Sequence, residues 1–143
     1  MSKYAQGKYQ IKNPEKYIGR HSPTYRSSWE FAFCGFCDNN PSIVQWASES
    51  IKIPYRNPVT GKSTIYVPDF VIVYTDKNQK KHTELIEIKP STQVTMETAK
   101  TLKDKYSVAI NMAKWAAADS WCKANNIRFR VVTEYDIFKN TKR

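Results

Sequence analysis

The hydrophobic period of this 143-residue chain changes at Pro90. Upstream, apolar residues gather in short runs of strand length: Ile43, Val44, Trp46, Ile51 and Ile53 within 42–55, a β-rich stretch from Thr64 to Thr75, and Leu85, Ile86 and Ile88 within 83–89. Downstream of Ala99, residues Leu102, Tyr106, Ala109, Ile110, Ala113, Ala116, Ala117 and Trp121 recur mostly every three or four positions, which draws one face of a long helix ending near Ala124. Strands before a long helix, and Ile127 to Val132 alternating as a strand after it, describe a mixed sheet with helical flanks.

Turn and cap signals divide the upstream part. Ser27 or Ser28 can cap a helix that carries Trp29, Phe31, Ala32, Phe33 and Phe36, and Asn39-Asn40-Pro41 ends it. Asn57 to Gly61 reads as a turn, so the stretch from Thr64 to Thr75, centred on Val67 to Phe70, is expected to form a hairpin with the strand before it. The length suits one domain with a core that needs no disulfide or structural metal.

Charge narrows the function. Lys and Arg number 23 against 13 Asp and Glu, a net charge of +10, which suits a polyanionic partner such as double-stranded DNA. Half of that excess lies in the first 26 residues, where Lys3, Lys8, Lys12, Lys16, Arg20 and Arg26 face Glu15 alone and alternate with Tyr4, Tyr9, Tyr17 and Tyr25. Residues 1–24 therefore read as a basic arm that tracks a phosphate backbone, ahead of a single domain over 25–143. No run approaches the ~18 apolar residues of a membrane span and no signal peptide opens the chain, so a soluble protein without membrane partners is expected, with its three cysteines reduced in a cytoplasm.

The densest chemistry lies on two strands. Pro68-Asp69 is followed 18 residues later by Glu87-Ile88-Lys89. Residues two apart on a strand share a face, so Glu87 and Lys89 present a carboxylate and an ammonium together while Asp69 adds a second carboxylate from the neighbouring strand. Two carboxylates and the Ile88 carbonyl make a hard-cation site of the kind Mg²⁺ takes, with Lys89 beside the place where water and phosphate would meet. Charges at these positions could instead cap a turn and form a surface ion pair. The strands around them, with Val71, Ile72, Val73, Leu85 and Ile86, are apolar enough to be central, where unpaired charge is costly. Glu84 has the opposite parity from Glu87 and reads as a surface charge.

This pattern resembles the PD-(D/E)XK nuclease superfamily. Arg26-Ser27-Ser28-Trp29-Glu30, Asn40-Pro41, Trp46, Ile53-Pro54-Tyr55, Pro68-Asp69-Phe70 and Glu87-Ile88-Lys89-Pro90 are similar to the head completion nucleases of contractile-tailed phages, and the Arg-Ser-Ser-Trp-Glu block and strand motifs also to the endonuclease subunits of heteromeric transposases. The resemblance implies an α/β fold: a restriction-endonuclease-like mixed β-sheet core, flanked by an N-terminal helix and by a long helix after the catalytic strand. It adds Glu30 to the metal site and implies an Mg²⁺-dependent DNA endonuclease, with Mn²⁺ able to substitute. It further implies phage portal or head-completion proteins as partners, and a place in the host cytoplasm during phage assembly or in the virion head. The alternatives are a non-catalytic DNA-binding or connector protein on the same fold, and a transposase-type or junction-resolving endonuclease.

Three weaker signals carry no role. Cys34 and Cys37 have C-x-x-C spacing, but a zinc site needs four ligands and only Cys122, His21 and His82 remain, far apart, so the pair reads as core. His21 and Gln93 are polar residues near the motifs without a partner that defines them.

Overall fold

A computed structural model describes residues 6–91 and 101–136. Chain order is β1 (Gly7–Lys8), a 3₁₀ turn (Pro14–Lys16), β2 (Thr24–Tyr25), α1 (Ser28–Asn39), β3 (Ile43–Ser48), β4 (Ile53–Arg56), β5 (Ser63–Tyr66), β6 (Phe70–Thr75), β7 (Lys81–Ile88), α2 (Leu102–Ala124) and β8 (Arg128–Val132). The main sheet runs β3-β6-β7-β8, with β3, β6 and β7 antiparallel and β8 parallel to β7. A parallel neighbour cannot be reached by a tight turn, and the segment containing α2 makes the crossover. This is the mixed sheet with an N-terminal helix and a long second helix expected from the sequence.

Strand parity assigns the layers. Phe70, Ile72, Ile86 and Ile88 pack with Phe33, Cys34, Cys37 and Trp46 on the α1 side, whereas Val71 and Leu85 pack with Ala118 and Cys122 of α2. Cys34, Cys37 and Cys122 are free and fully buried, and burial pushes the Cys34 thiol up to about 12. They are core residues, as expected.

Four expectations change. The stretch from Thr64 to Thr75 is two strands: β5 closes a separate hairpin on β4, and β6 enters the main sheet between β3 and β7. Pro68 lies between them, lacks a donor N–H and restricts Val67, so the ladder cannot run through it. The buried stripe of α2 is Val108, Asn111, Ala118 and Cys122, while Leu102 and Tyr106 of the expected face are 64% and 48% exposed. Glu84 is buried rather than superficial, accepting from Tyr74 Oη at 3.0 Å and Arg130 Nε at 3.0 Å. The parallel register puts the alternating arginines of β8 beside β7, which supplies the counter-charge that burial requires.

The fourth change concerns the arm. Residues 6–24 pack onto the domain: β1 pairs with β2, Tyr9 joins the core, and the Tyr17 ring lies 4.8 Å from Trp46. Asp38, at the end of α1, anchors the segment by accepting from Tyr9 Oη (3.0 Å), Lys12 N (2.8 Å) and Asn13 N (3.0 Å). Aromatic burial against an apolar face outweighs the solvation of the intervening lysines, whose stems reach water from the packed backbone. Lys3 and Gln93 lie outside the described residues.

Candidate active site

Phe70 pairs with Ile86, so the residue before β6 comes level with the end of β7. That register brings Asp69 to Glu87 and Ile88, and Asp69 Oδ2 accepts from Ile88 N at 2.7 Å. Glu87 projects to the α2 side, where its Oε1 accepts from Tyr66 Oη at 2.7 Å and its Oε2 lies 3.5 Å from Lys89 Nζ. Strand alternation thus joins Glu87 to Lys89 as the i, i+2 spacing requires.

Glu30 arrives from the first turn of α1. Ser27 caps that helix, accepting from Glu30 N at 3.2 Å, which decides between the two serines. The Glu30 carboxylate folds back in turn, accepting from Arg26 N and Ser27 Oγ at 3.3 Å each, in the manner of a capping box. It is therefore held by its own helix while remaining close enough to Asp69 and Glu87 to repel both electrostatically.

The cluster carries buried negative charge in excess. Burial, then the neighbouring Glu87 and Glu30, hold the Asp69 carboxyl well above the usual carboxylate range. Burial also raises Glu87 and Glu30, with Lys89 and the Tyr66 hydrogen bond opposing the shift at Glu87. A hard divalent cation relieves that repulsion. Among the described residues no three His, Cys, Asp or Glu side chains are gathered tightly enough to hold a metal by themselves. Asp69 and Glu87 provide two carboxylates, which fits Mg²⁺ because it binds through one or two carboxylates and completes its shell with water and substrate phosphate.

Two residues joined the site without a sequence signal. Tyr66, at the end of β5, orients Glu87 through its hydroxyl. Lys114, half-buried on α2, places Nζ 5.9 Å from the centroid of the Tyr55 ring and 5.6 Å from that of Tyr66. Burial and the nearby Lys89 lower its pKa, whereas Glu87 and Asp69 act in the opposite sense, so it belongs to the same electrostatic cluster. A lysine on a helix otherwise reads as solvated, and only docking of α2 against the β4–β5 hairpin turns this one inward. Lys114→Met is expected to slow single-turnover cleavage about tenfold or more while changing DNA affinity little, as for a charge acting chiefly in the transition state. A variant that loses affinity at an unchanged single-turnover rate would assign Lys114 to binding alone.

The basic residues assigned to DNA separate into two groups. Lys8 Nζ donates to Thr24 Oγ1, Lys16 Nζ donates to the carbonyls of Asp38 and Asn40, and Lys12 is exposed beside them, all in the segment packed on α1. Arg26 pairs with Glu49 at 3.0 Å, and Glu49 N donates to the Asp69 carbonyl at 2.9 Å, which ties that pair to the carboxylates. Arg20 lines a cavity with Glu49.

Residues 40–134 match the family described as TnsA-like endonuclease N terminal, a span that contains Asp69, Glu87, Lys89 and Lys114 and stops short of Glu30. The chain is 34% identical over 136 residues to the head completion nuclease of Enterobacteria phage T4, covering 90% of each sequence.

Proposed function

Since the chain belongs to the TnsA-like endonuclease family, we propose that it hydrolyses phosphodiester bonds of double-stranded DNA with Mg²⁺ at the Asp69–Glu87–Lys89 cluster. The observation that carries this reading is the meeting of two carboxylates and a lysine at the end of β7: half-buried Asp69 accepts from Ile88 N at 2.7 Å, and buried Glu87 lies 3.5 Å from Lys89. Asp69 and Glu87, with the Ile88 carbonyl, would hold the ion, while Glu30, expected from the sequence as a further ligand, is held by its own helix and would add negative charge near the ion or its water without ligating it directly. Bound there, Mg²⁺ supplies a Lewis acid and makes water a stronger nucleophile near neutral pH.

The chain's own groups do the rest. Tyr66 donates to Glu87 and fixes the direction of its carboxylate. Lys89 Nζ stands where it can donate to the attacking water or to a phosphate oxygen as charge builds on it. Lys114 adds positive potential from α2, and Arg26 offers a guanidinium at the rim beside Glu30 and Asp69. The net charge of +10 supports capture of a polyanion.

The name of the phage T4 relative supports a role in head completion, in which this enzyme would act on packaged DNA beside portal or head-completion proteins, in the host cytoplasm during assembly or in the virion head. Among the described residues no helix is long and apolar enough to cross a membrane, which suits that setting. The transposase-type reading draws on the match to the TnsA-like family.

Cleavage of linear, nicked and branched DNA, with Mg²⁺ and with chelator, tests the assignment. The wild type should cut only with metal, and Lys89→Ala should cut about 10²-fold more slowly at saturating metal while still binding DNA. Equal rates for the two proteins would overturn the role of Lys89. A wild type that binds these DNAs with Mg²⁺ and cuts none of them would favour the non-catalytic connector.

A further inference from the structure

Beside the carboxylates lies a recess that the mechanism does not use. Its first wall is the loop 18–21. This loop doubles back over Tyr17, whose hydroxyl donates to the His21 carbonyl at 2.7 Å and accepts from Ser48 N at 3.3 Å. A Cβ on Gly19 would run into the Tyr17 ring, so only glycine lets the loop close this tightly. The loop is thereby held by the core, leaving the exposed Arg20 and His21 for other use.

The second wall is the segment 48–52 after β3. Between the two walls is a cavity of about 490 Å³, lined among others by Ile18, Arg20, His21, Glu49, Ser50 and Lys52. That volume is in the range of small-molecule sites. The cavity meets the active site through one backbone hydrogen bond, from Glu49 N to the Asp69 carbonyl. Glu49 stands in the left-handed region at φ 47°, a conformation that a non-glycine residue keeps only when its surroundings enforce it. Its Oε1 pairs with Arg26, while its Oε2 is buried and has no hydrogen-bond partner among the described residues.

Cations, a carboxylate with an unused acceptor and an apolar side chain form a set that matches one nucleotide. Arg20 and Lys52 suit its phosphate, the 51% exposed Ile18 suits the face of its base, and Glu49 accepts from the amino group of an adenine or cytosine. A base within an intact duplex is stacked and paired, so only an unpaired base can turn its edge into a recess. We infer that this recess is a subsite for one unpaired nucleotide flanking the scissile phosphate, and that the enzyme therefore favours DNA ends or branch points carrying unpaired strand. Placing the subsite next to the scissile phosphate rests on the endonuclease reading; binding there does not.

Binding in chelator separates the two. Fluorescence anisotropy is measured with a blunt duplex and with the same duplex ending in an unpaired adenosine, cytidine or thymidine. The wild type should bind the adenosine and cytidine overhangs about tenfold more tightly than the blunt end, and the thymidine overhang less tightly than either, because thymine offers no amino donor. Lys52→Glu should abolish the preference for overhangs. Glu49→Gln should remove the discrimination against thymidine, and Lys77→Ala, at the turn between β6 and β7 at the other end of the sheet, should leave every ratio unchanged. Equal wild-type affinity for blunt and overhanging duplexes would overturn the subsite, as would variants at 49 and 52 that weaken all substrates in proportion. A wild type that shows the overhang preference and cuts no DNA in Mg²⁺ would keep the subsite and overturn the endonuclease reading instead.

Discussion

Asp69→Asn is expected to lower single-turnover cleavage by about 10³-fold or more, because it removes a charged donor for the cation on which the chemistry depends. The same change should make the metal-free protein more stable. An amide oxygen in place of the carboxylate can still accept from Ile88 N, so the fold keeps its local bond while losing one of several crowded negative charges. Because the folded carboxyl of Asp69 is raised by burial and by Glu87 and Glu30, the folded state holds more protons than the unfolded chain between the ordinary and the raised pKa. Stability in chelator therefore falls as pH rises through that window and is larger at its acid end. Asp69→Asn should flatten this slope and raise the neutral Tm by about 3 °C or more, corresponding to about 1 kcal/mol in a domain of this size. Added Mg²⁺ should raise the Tm of the wild type and not that of the variant. Wild-type cleavage by Asp69→Asn would remove Asp69 from the site. A metal-free variant less stable than wild type would show that no excess charge is stored there.

Asp38→Ala should have the largest effect on folding. The carboxylate is buried and accepts from Tyr9 Oη and from the amides of Lys12 and Asn13, and Asn13 Nδ2 also reaches it at 3.3 Å. Truncation leaves these donors without their acceptor, at a cost of about 3 kcal/mol or more. By thermal unfolding this is a fall in Tm of roughly 10 °C. Hydrogen exchange at Lys12 and Asn13 should quicken as the N-terminal segment loosens from α1. Burial alone would raise the Asp38 pKa, but the hydrogen bonds from Lys12, Tyr9 and Asn13 outweigh it and hold the carboxyl below its ordinary value. Its contribution is then present above the ordinary carboxylate pKa and is lost as pH falls through the depressed one. The difference in stability between wild type and Asp38→Ala should accordingly shrink in acid. An unchanged Tm would mean that Tyr9, Tyr17 and Trp46 hold the segment without this anchor.

Relations between near neighbours in the chain were legible from residue order alone. Two-residue alternation puts Glu87 and Lys89 on one face, and a serine at 27 or 28 caps the first turn that carries Glu30, the structure choosing Ser27; both relations hold within a few residues of chain. The turn at Asn57 to Gly61 and the end of α1 at Asn39 were legible for the same reason, since their residue types prescribe local backbone geometry. Which faces are covered depended instead on long-range packing. The 102–106 end of α2 is apolar in sequence yet exposed, because the helix rolls so that Val108, Asn111 and Ala118 meet the sheet and hairpin, which also draws Lys114 towards Glu87. Glu84 is buried only because β8 returns parallel to β7 and lays Arg130 against it. Tyr9, Lys12 and Asn13 carry no period, and their packing depends on a carboxylate more than 20 residues further along. Alternation and capping are set by neighbouring backbone dihedrals, whereas the burial of a face or a charge depends on the segment that closes over it, and that partner is distant in sequence.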